Sequence, residues 1–345
     1  MMLQPECRAT CIGSFPHTGP GPAIRLVLDC FPEIPAWPQL PNLSDYENMI
    51  TQFSEGLPLT FFDPETNQLR LDNDADAVIA TEHFYEKIAS GDLAFFALSG
   101  DFAAGFFPFI EAVSRRPGKL FGIKGQVTGP VTWAYSVRMN NGFCSWKNEN
   151  FRDIIIKGLA CKAKWQAEQL VQLCDNVIIF ADEPMLHVLD KKEDAAPGEA
   201  AAALKDLFSR ISGPGITTGI HICGSCDWTE IAETGTDVLS FDAFGYGESI
   251  SGHEESLAGF VERGGCIAWG IVPASDRAEH ETPDSLAMRV TGLVRRIAAA
   301  GTDESTVLKQ SFVTPACGTG NLSVATAETI MRKTSEVSGL LRGIK

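Results

Sequence analysis

Residues 215–226 read GITTGIHICGSC, an apolar and β-branched run that ends in one histidine and two cysteines. The run predicts a buried strand near 216–222, because it is rich in Ile and Thr and is bounded by glycines. His221 and Cys223 stand two positions apart, so an extended chain directs both side chains to the same side. Chemistry-bearing residues at a strand end are typical of a parallel barrel, whose site lies at the carboxyl ends of its strands.

Other apolar runs of strand length occur on both sides of this segment. They lie near 8–12, 93–98, 119–124, 176–181, 237–242, 265–271 and 308–313. With 216–222 they make eight, the number of strands in a (β/α)8 barrel. Helical periodicity predicts helices at about 151–174, 197–212, 227–235, 253–263, 282–300 and 322–340. The sequence therefore predicts an α/β protein, a (β/α)8 TIM barrel that forms a single domain over residues 1–345.

The first half of the chain departs from this alternation. Residues 31–75 contain six prolines, a density that breaks helices. We expect an irregular N-terminal insertion there, before the second predicted strand, placed where it covers the barrel mouth.

Composition excludes several classes of function. The chain has 28 Lys and Arg against 44 Asp and Glu, a formal charge of −16, which repels nucleic acid and anionic membranes. The apolar runs are too short to span a bilayer. Ten cysteines without an export signal indicate a reducing, cytoplasmic setting, in which thiols serve metals, catalysis or packing rather than disulfides.

Two further residues complete a candidate metal site. Asp242 in LSFDAF and Cys317 in TPACGTG each follow a later predicted strand, which would bring them to the same end of a barrel as His221 and Cys223. Zinc accepts thiolate, imidazole and carboxylate ligands together. The alternative is a core histidine that packs beside a buried cysteine.

A second interpretation uses the run CGSC, in which Cys223 and Cys226 have the spacing of a redox dithiol. The predicted strand before the run and the helix after it fit that interpretation. The metal interpretation uses His221 and Cys317 as well, and it leaves Cys226 either without a role or as a substitute ligand.

Five motifs resemble, in order, those of the catalytic barrel of cobalamin-independent methionine synthase, a relative of uroporphyrinogen decarboxylase. They are ATCIGSFPH, KGQVTGPVTW, IIFADEPML, HICGSCDW and TPACGTGNL, and the resemblance runs from about residue 9 to residue 340. It implies a zinc ion held by His221, Cys223, Cys317 and a carboxylate. Where the family has a glutamate, this chain has Asp242, with Glu248 in GYGESI as a second candidate.

The resemblance also implies a set of substrate-binding residues. Ile12, Gly13, Ser14 and Asp182 match the positions that hold the amino-acid part of homocysteine in that family. A carboxylate at a strand end can bind an ammonium group. The alternative interpretation of the run DEP is a helix N-cap followed by proline. Glu55 in FSEGLPL is a further predicted contact with the substrate.

These observations predict a zinc-dependent transfer of a methyl group to the thiol of homocysteine, which gives methionine. The chain resembles the short, single-barrel forms, which have no second barrel for a folate donor, so we expect methylcobalamin, free or on a corrinoid protein, as the donor. Three alternatives remain: a coenzyme M-type methyltransferase, a uroporphyrinogen decarboxylase-like enzyme and a non-catalytic zinc protein.

Overall fold

A computed structural model describes residues 3–63, 66, 68–71, 77–139, 142, 144–189 and 198–343. Its strands are β1 (Arg8–Ala9), β2 (Thr60–Asp63), β3 (Gln68–Leu71), β4 (Ile123–Thr128), β5 (Arg138–Met139), β6 (Val177–Asp182), β7 (Ile216–Ile222), β8 (Val238–Phe241), β9 (Cys266–Val272) and β10 (Ser311–Pro315). Its α-helices are α1 (Pro20–Cys30), α2 (Ala77–Ser90), α3 (Phe106–Ser114), α4 (Pro130–Ser136), α5 (Glu149–Leu170), α6 (Pro184–Leu189), α7 (Glu199–Ile211), α8 (Trp228–Ala232), α9 (Ala243–Tyr246), α10 (Glu254–Glu262), α11 (Pro283–Ala299), α12 (Glu304–Lys309) and α13 (Val324–Leu341).

Seven strands form one curled parallel sheet of the TIM-barrel type, in the order β1-β10-β9-β8-β7-β6-β4. Every residue of β4, β6, β8, β9 and β10 is buried, as expected for strands that are covered on both faces. The pairing of β6 with β7 sets Asp182 opposite His221, and that of β7 with β8 sets His221 opposite Ser240. The polar residues at these strand ends therefore lie at one level of the sheet.

One predicted strand was wrong. The run near 93–98 contains a 3-10 helix, Leu93–Phe96, and no strand. Its aromatic side chains pack against one another, with the ring centroids of Phe95 and Phe96 5.1 Å apart. Periodicity cannot distinguish so short an apolar run from a buried helical turn.

An extended segment, 35–39, connects the two edges of the sheet instead. On one side the Lys124 amide, in β4, donates to the carbonyl of Pro35 at 2.9 Å. On the other side the Gln39 amide donates to the carbonyl of Gly13, just after β1, at 2.8 Å. The prolines that prevent a regular strand here leave enough amides to bond both neighbours.

The remaining predictions of secondary structure agree well with the fold. The other seven predicted strands overlap β1, β4, β6, β7, β8, β9 and β10, with those at β4 and β10 placed three to four residues too early. The six predicted helices correspond to α5, α7, α8, α10, α11 and α13. Side-chain caps begin several of them, as where Asn148 accepts from the Phe151 amide at the start of α5.

The N-terminal insertion is irregular, as predicted. Its described part contains two 3-10 helices, Asp45–Glu47 and Thr51–Phe53, followed by an antiparallel pair of strands, β2 and β3. The short strand β5 pairs with β3 in a separate three-stranded sheet. None of the helices in the described ranges combines the length and apolar character that a membrane span requires.

Both apolar side chains and a buried lysine pack beside the strands of the sheet. A small apolar cluster is made of Ile34, Ile178, Phe180, Val238, Cys266, Ala268 and Phe312. Lys124 is buried beside it, with Nζ 4.6 Å from the ring centroid of Phe180. Its ammonium donates to the carbonyl of Ile12 at 2.6 Å, which ties the chain after β1 to β4.

Gln166 holds the connecting segment 35–39 to α5 and β4, so its removal tests this part of the fold. It accepts from Trp37 Nε1 at 2.9 Å and donates to the carbonyl of Gln126 at 3.0 Å, and all three residues are buried. Gln166→Ala leaves one donor and one acceptor unpaired, so we expect a loss of roughly 2–5 kcal/mol in the free energy of unfolding. Chemical denaturation measures it.

Glu168→Ala, at an exposed position of the same helix, is the matched control and should change the free energy of unfolding by about 0.5 kcal/mol or less. Equal effects of the two substitutions would contradict the assigned role of Gln166.

Candidate metal centre

Three ligand atoms converge at the carboxyl ends of the strands. His221 is the sixth residue of β7, Cys223 follows that strand, and Cys317 follows β10. His221 Nε2 lies 3.0 Å from Cys223 Sγ, and the two sulfur atoms lie 2.8 Å apart. All three ligand atoms lie within 4.8 Å of one another, which is close enough to share one metal ion.

The curl of the sheet brings Cys317 to this point, because β8 and β9 separate β7 from β10. The pairing of β10 with β9 shifts between Thr314 and Pro315, and such irregularities re-aim the chain that follows. The loop is then held by Thr319, whose amide and hydroxyl donate to the carbonyl of Ser14 at 2.8 and 2.9 Å. A Cβ at Gly320 would overlap the Ser14 hydroxyl, which explains a glycine there.

The two thiols share a proton unequally. The Cys223 thiol donates to Cys317, which lowers the pKa of Cys317 and raises that of Cys223. A hydrogen bond with His221 further lowers the pKa of Cys317. One of the two sulfur atoms is therefore a thiolate at neutral pH, the form that binds metals.

The predicted carboxylate ligands stand outside this cluster. Asp242 is half-buried and caps α9, since its Oδ1 accepts from the Gly245 amide at 2.7 Å. Burial raises its pKa, and the negative charge of Cys317 adds to that effect, so Asp242 is close to the site. Glu248 points away and pairs with Arg296 at 2.9 Å on the surface, with 90% of its side chain exposed.

Cys226 is buried and is not a member of the three-residue cluster. The short sulfur contact of Cys223 is with Cys317. None of the cysteines, all of which lie within the described residues, forms a disulfide. The structure therefore pairs Cys223 with a residue from a distant strand, which the metal interpretation requires and the dithiol interpretation does not.

A cavity of about 290 Å³ opens beside the cluster. Its lining includes His221, Cys223 and Cys317 together with Ile12, Ser14, Gln39, Pro41, Glu47, Asn48, Met49, Asp182, Pro184, Gly318, Gly320 and Asn321. Three predicted substrate residues, Ile12, Ser14 and Asp182, are thus brought together there. Gly13 stands behind them with φ +145°, and a Cβ at this position would lie 2.7 Å from Gln39 Oε1.

Asp182 ends β6 at the base of this cavity. It is buried, and its Oδ1 has no hydrogen-bond partner. Burial raises its pKa to about 6, an effect that the positive charge of Lys124 and then that of His221 partly offset. A buried carboxylate oxygen without a donor is costly and uncommon, so this atom is available to a bound molecule.

The neighbouring carboxylate has a structural role. Glu183 accepts from the Val131 amide at 2.9 Å and from the amide and hydroxyl of Thr132 at 2.7 and 2.6 Å. These donors stand at the start of α4, so Glu183 caps a helix that precedes it in the chain. Of the two adjacent carboxylates in the motif DEP, Glu183 therefore caps a helix, whereas Asp182 has an unpaired oxygen.

Glu55 lies elsewhere. Its Oε2 accepts from the Ser99 amide at 2.8 Å, and its charge acts on the buried ammonium of Lys162. It is not among the described residues that line the cavity.

Sequence reasoning missed the cavity residues of the insertion, Gln39, Glu47, Asn48 and Met49, together with Asn321. Glu47 is the clearest case, because only 1% of it is exposed and its carboxylate accepts from the amides of Leu40 and Ala104. The segment has no periodicity that marks these residues, and the neighbours of Glu47 in NLSDYEN are mostly polar, as in an exposed loop.

No protein-family model matches the chain, and no curated protein matches it. Its fold is similar to a solved structure of a B12-independent methionine synthase from Shewanella sp. W3-18-1 in complex with selenomethionine. The TM-score is 0.60 at 15% sequence identity, and the match covers 99% of this chain and 98% of the other. At that identity the likeness establishes the fold.

Glu183 is predicted to stabilise the site through the three hydrogen bonds that its carboxylate accepts. Glu183→Ala leaves these buried groups unpaired, at about 1–3 kcal/mol each before relaxation, so we expect the free energy of unfolding to fall by roughly 3 kcal/mol or more. The melting temperature and chemical denaturation report this loss. Glu233→Ala, which removes an exposed partner of Arg263, should have a small effect; a comparable loss there would argue against the capping role.

Proposed function

We propose that this protein is a zinc-dependent methyltransferase that methylates the thiol of homocysteine to give methionine. The observation that carries the proposal is the convergence of His221, Cys223 and Cys317 beside a cavity that contains the unpaired carboxylate oxygen of Asp182. The first three residues supply soft metal ligands, and Asp182 supplies a site for a positive charge. The fold that it shares with a methionine synthase is consistent with this activity.

The chemistry of the three clustered residues fits zinc. Two sulfur atoms and one imidazole nitrogen form a set that Zn²⁺ binds in preference to harder cations. We propose Asp242 as an additional ligand through Oδ2, since Oδ1 accepts the capping hydrogen bond from Gly245. Catalytic zinc sites keep one position for the substrate, and the adjoining cavity provides access to it.

When bound, zinc supplies a Lewis acid that lowers the pKa of a coordinated thiol and so makes a thiolate available at neutral pH. Asp182 binds the ammonium group of the substrate and is ionised above a pH of about 6. Ile12 and Ser14 also line the cavity. Together these contacts hold the substrate sulfur in one orientation, which lowers the entropic part of the barrier.

Charge favours an amino-acid thiol over the alternative substrates. Two of the described residues that line the cavity, Asp182 and Glu47, are carboxylates, and none is lysine or arginine. A sulfonate, as in coenzyme M, or the several carboxylates of a porphyrin would meet no lysine or arginine among these lining residues. A volume of about 290 Å³ is also small in comparison with pockets for drug-sized ligands, roughly 300–1,000 Å³.

We propose methylcobalamin, free or on a corrinoid protein, as the methyl donor. The cavity accommodates the thiol, so the donor must approach from outside and present only its methyl group. A methyl–cobalt bond breaks without protonation of the leaving group, whereas a methyl on a folate nitrogen needs a general acid.

We also propose that segment 35–39 takes the place of the eighth strand of the barrel, so that one barrel domain spans the chain.

The metal assignment predicts about one zinc ion per chain. His221→Ala, Cys223→Ser and Cys317→Ser should each lose the metal and the methyl transfer while the protein remains folded, because each removes a ligand and leaves the sheet intact. Elemental analysis of the reduced protein, with circular dichroism of each variant, checks this. A protein without zinc whose activity survives chelators would contradict the central claim.

Two controls separate ligands from neighbours. Cys226→Ser should retain zinc; if it alone loses the metal, the CGSC pair is the binding site. Asp242→Asn should weaken zinc binding and methyl transfer, whereas Glu248→Gln should change neither. The reverse result would transfer the carboxylate role to Glu248.

Asp182→Asn tests recognition of the substrate. It removes a charge-assisted hydrogen bond worth about 1.5–3 kcal/mol, so the KM for homocysteine should rise roughly 10-fold to 150-fold while zinc is retained. The matched measurement uses 4-mercaptobutanoate, which lacks the ammonium group: wild type and variant should use it equally poorly. An unchanged KM for homocysteine would exclude the proposed contact.

Steady-state assays with the zinc-loaded protein and homocysteine identify the donor. We expect demethylation of methylcobalamin with stoichiometric formation of methionine. We expect little turnover of methyltetrahydrofolate, because its nitrogen leaving group needs protonation and Glu47, the second carboxylate of the cavity, is already bonded to the amides of Leu40 and Ala104. Efficient use of methyltetrahydrofolate without demethylation of methylcobalamin would reverse the assignment of the donor and leave the zinc site unaffected.

A further inference from the structure

Ser240 contacts the nitrogen of His221 that faces away from the thiols. Its Oγ lies 3.0 Å from His221 Nδ1. Ser240 is fully buried and His221 is 1% exposed, so water does not compete for this hydrogen bond. The contact arises from the pairing of β7 with β8, in which the two residues stand directly opposite each other.

The other nitrogen faces the metal-binding side chains. His221 Nε2 lies 3.0 Å from Cys223 Sγ, so Nε2 is the atom that can join the thiols around an ion. A neutral imidazole offers a lone pair on one nitrogen only, and the second nitrogen then carries the proton. For Nε2 to bind a metal, Nδ1 must be protonated and must donate to an acceptor. Ser240 Oγ is in place to accept.

We propose that Ser240 is a positioning residue that selects the metal-binding tautomer of His221 and fixes the orientation of its ring. This inference rests on the metal centre of the proposed function. Partners of this kind in metal sites typically contribute 10-fold to 100-fold in affinity. A strand residue suits the role, because regular elements hold site geometry more closely than loops do.

The hydroxyl has one property that a carboxylate would lack. It accepts a hydrogen bond or donates one, depending on its rotation. Without metal it can donate to Nδ1, and with metal bound at Nε2 it accepts from Nδ1–H. Ser240 therefore supports the imidazole in both forms without adding a negative charge to a centre that already contains two thiols and the nearby Asp182 and Asp242.

Ser240→Ala removes the acceptor and little volume. We expect the Kd for zinc, measured by competition with a chromophoric chelator, to rise about 10-fold or more. Ser240→Thr keeps a hydroxyl and should restore most of the affinity. The matched control is Ser311→Ala: Ser311 is also a buried strand serine, and its hydroxyl accepts from Trp269 Nε1 at 2.8 Å. That variant should lose stability and keep the wild-type Kd for zinc.

Nitrogen-15 NMR of the zinc-loaded wild type gives a second readout, which is made on a protein that retains Ser240. His221 should carry its proton on Nδ1, with His221→Ala used to assign the signal. A folded Ser240→Ala protein that binds zinc as tightly as the wild type would overturn the role of Ser240 alone. A proton on Nε2 would exclude Nε2 as a metal ligand, and it would overturn the role of Ser240 together with the assigned ligand atom of His221. A wild type that binds no zinc would overturn the metal centre and this role together.

Discussion

The parallel pairing of β6, β7 and β8 is the constraint on which the site depends. It places Asp182, His221 and Ser240 side by side, at one level of the sheet. In the proposed reaction the first binds the substrate, the second binds the metal, and the third supports that metal ligand. Because side chains alternate along a strand, a shift of one residue in either pairing would turn one of them out of the interior. The register of the strand pairing therefore also fixes the relative positions of the three residues in the proposed reaction.

Polar groups inside the sheet are costly to bury, and the structure satisfies nearly all of those around the site. Lys124 is bonded to the carbonyl of Ile12, and Glu183 accepts three hydrogen bonds at the start of α4. Asp182 Oδ1 is left unpaired. Because Asp182 lines the cavity, a substrate cation that binds there can recover the cost of burying this unpaired oxygen.

The irregular insertion contributes to both the fold and the cavity. Segment 35–39 bonds to β4 on one side and to the chain after β1 on the other. Farther along, Glu47 binds the amides of Leu40 and Ala104 and lines the cavity. The contacts between segment 35–39 and the sheet, and the lining of the cavity, thus depend on the same stretch of chain, so substitutions in this stretch should affect stability and the proposed substrate binding together.

The sequence alone determined the α/β fold class, most strands and helices, and the cluster of His221, Cys223 and Cys317, because runs such as 216–222 have both the composition of a strand and a reactive residue at the strand end. Tertiary structure decided what depends on distant chain segments. The run at 93–98 forms a 3-10 helix, and segment 35–39 bonds to both edges of the sheet. Glu55 accepts a hydrogen bond from the Ser99 amide, and Glu47 lines the cavity. These outcomes depend on contacts between residues that are distant in the sequence, and neither periodicity nor spacing along the chain predicts such contacts.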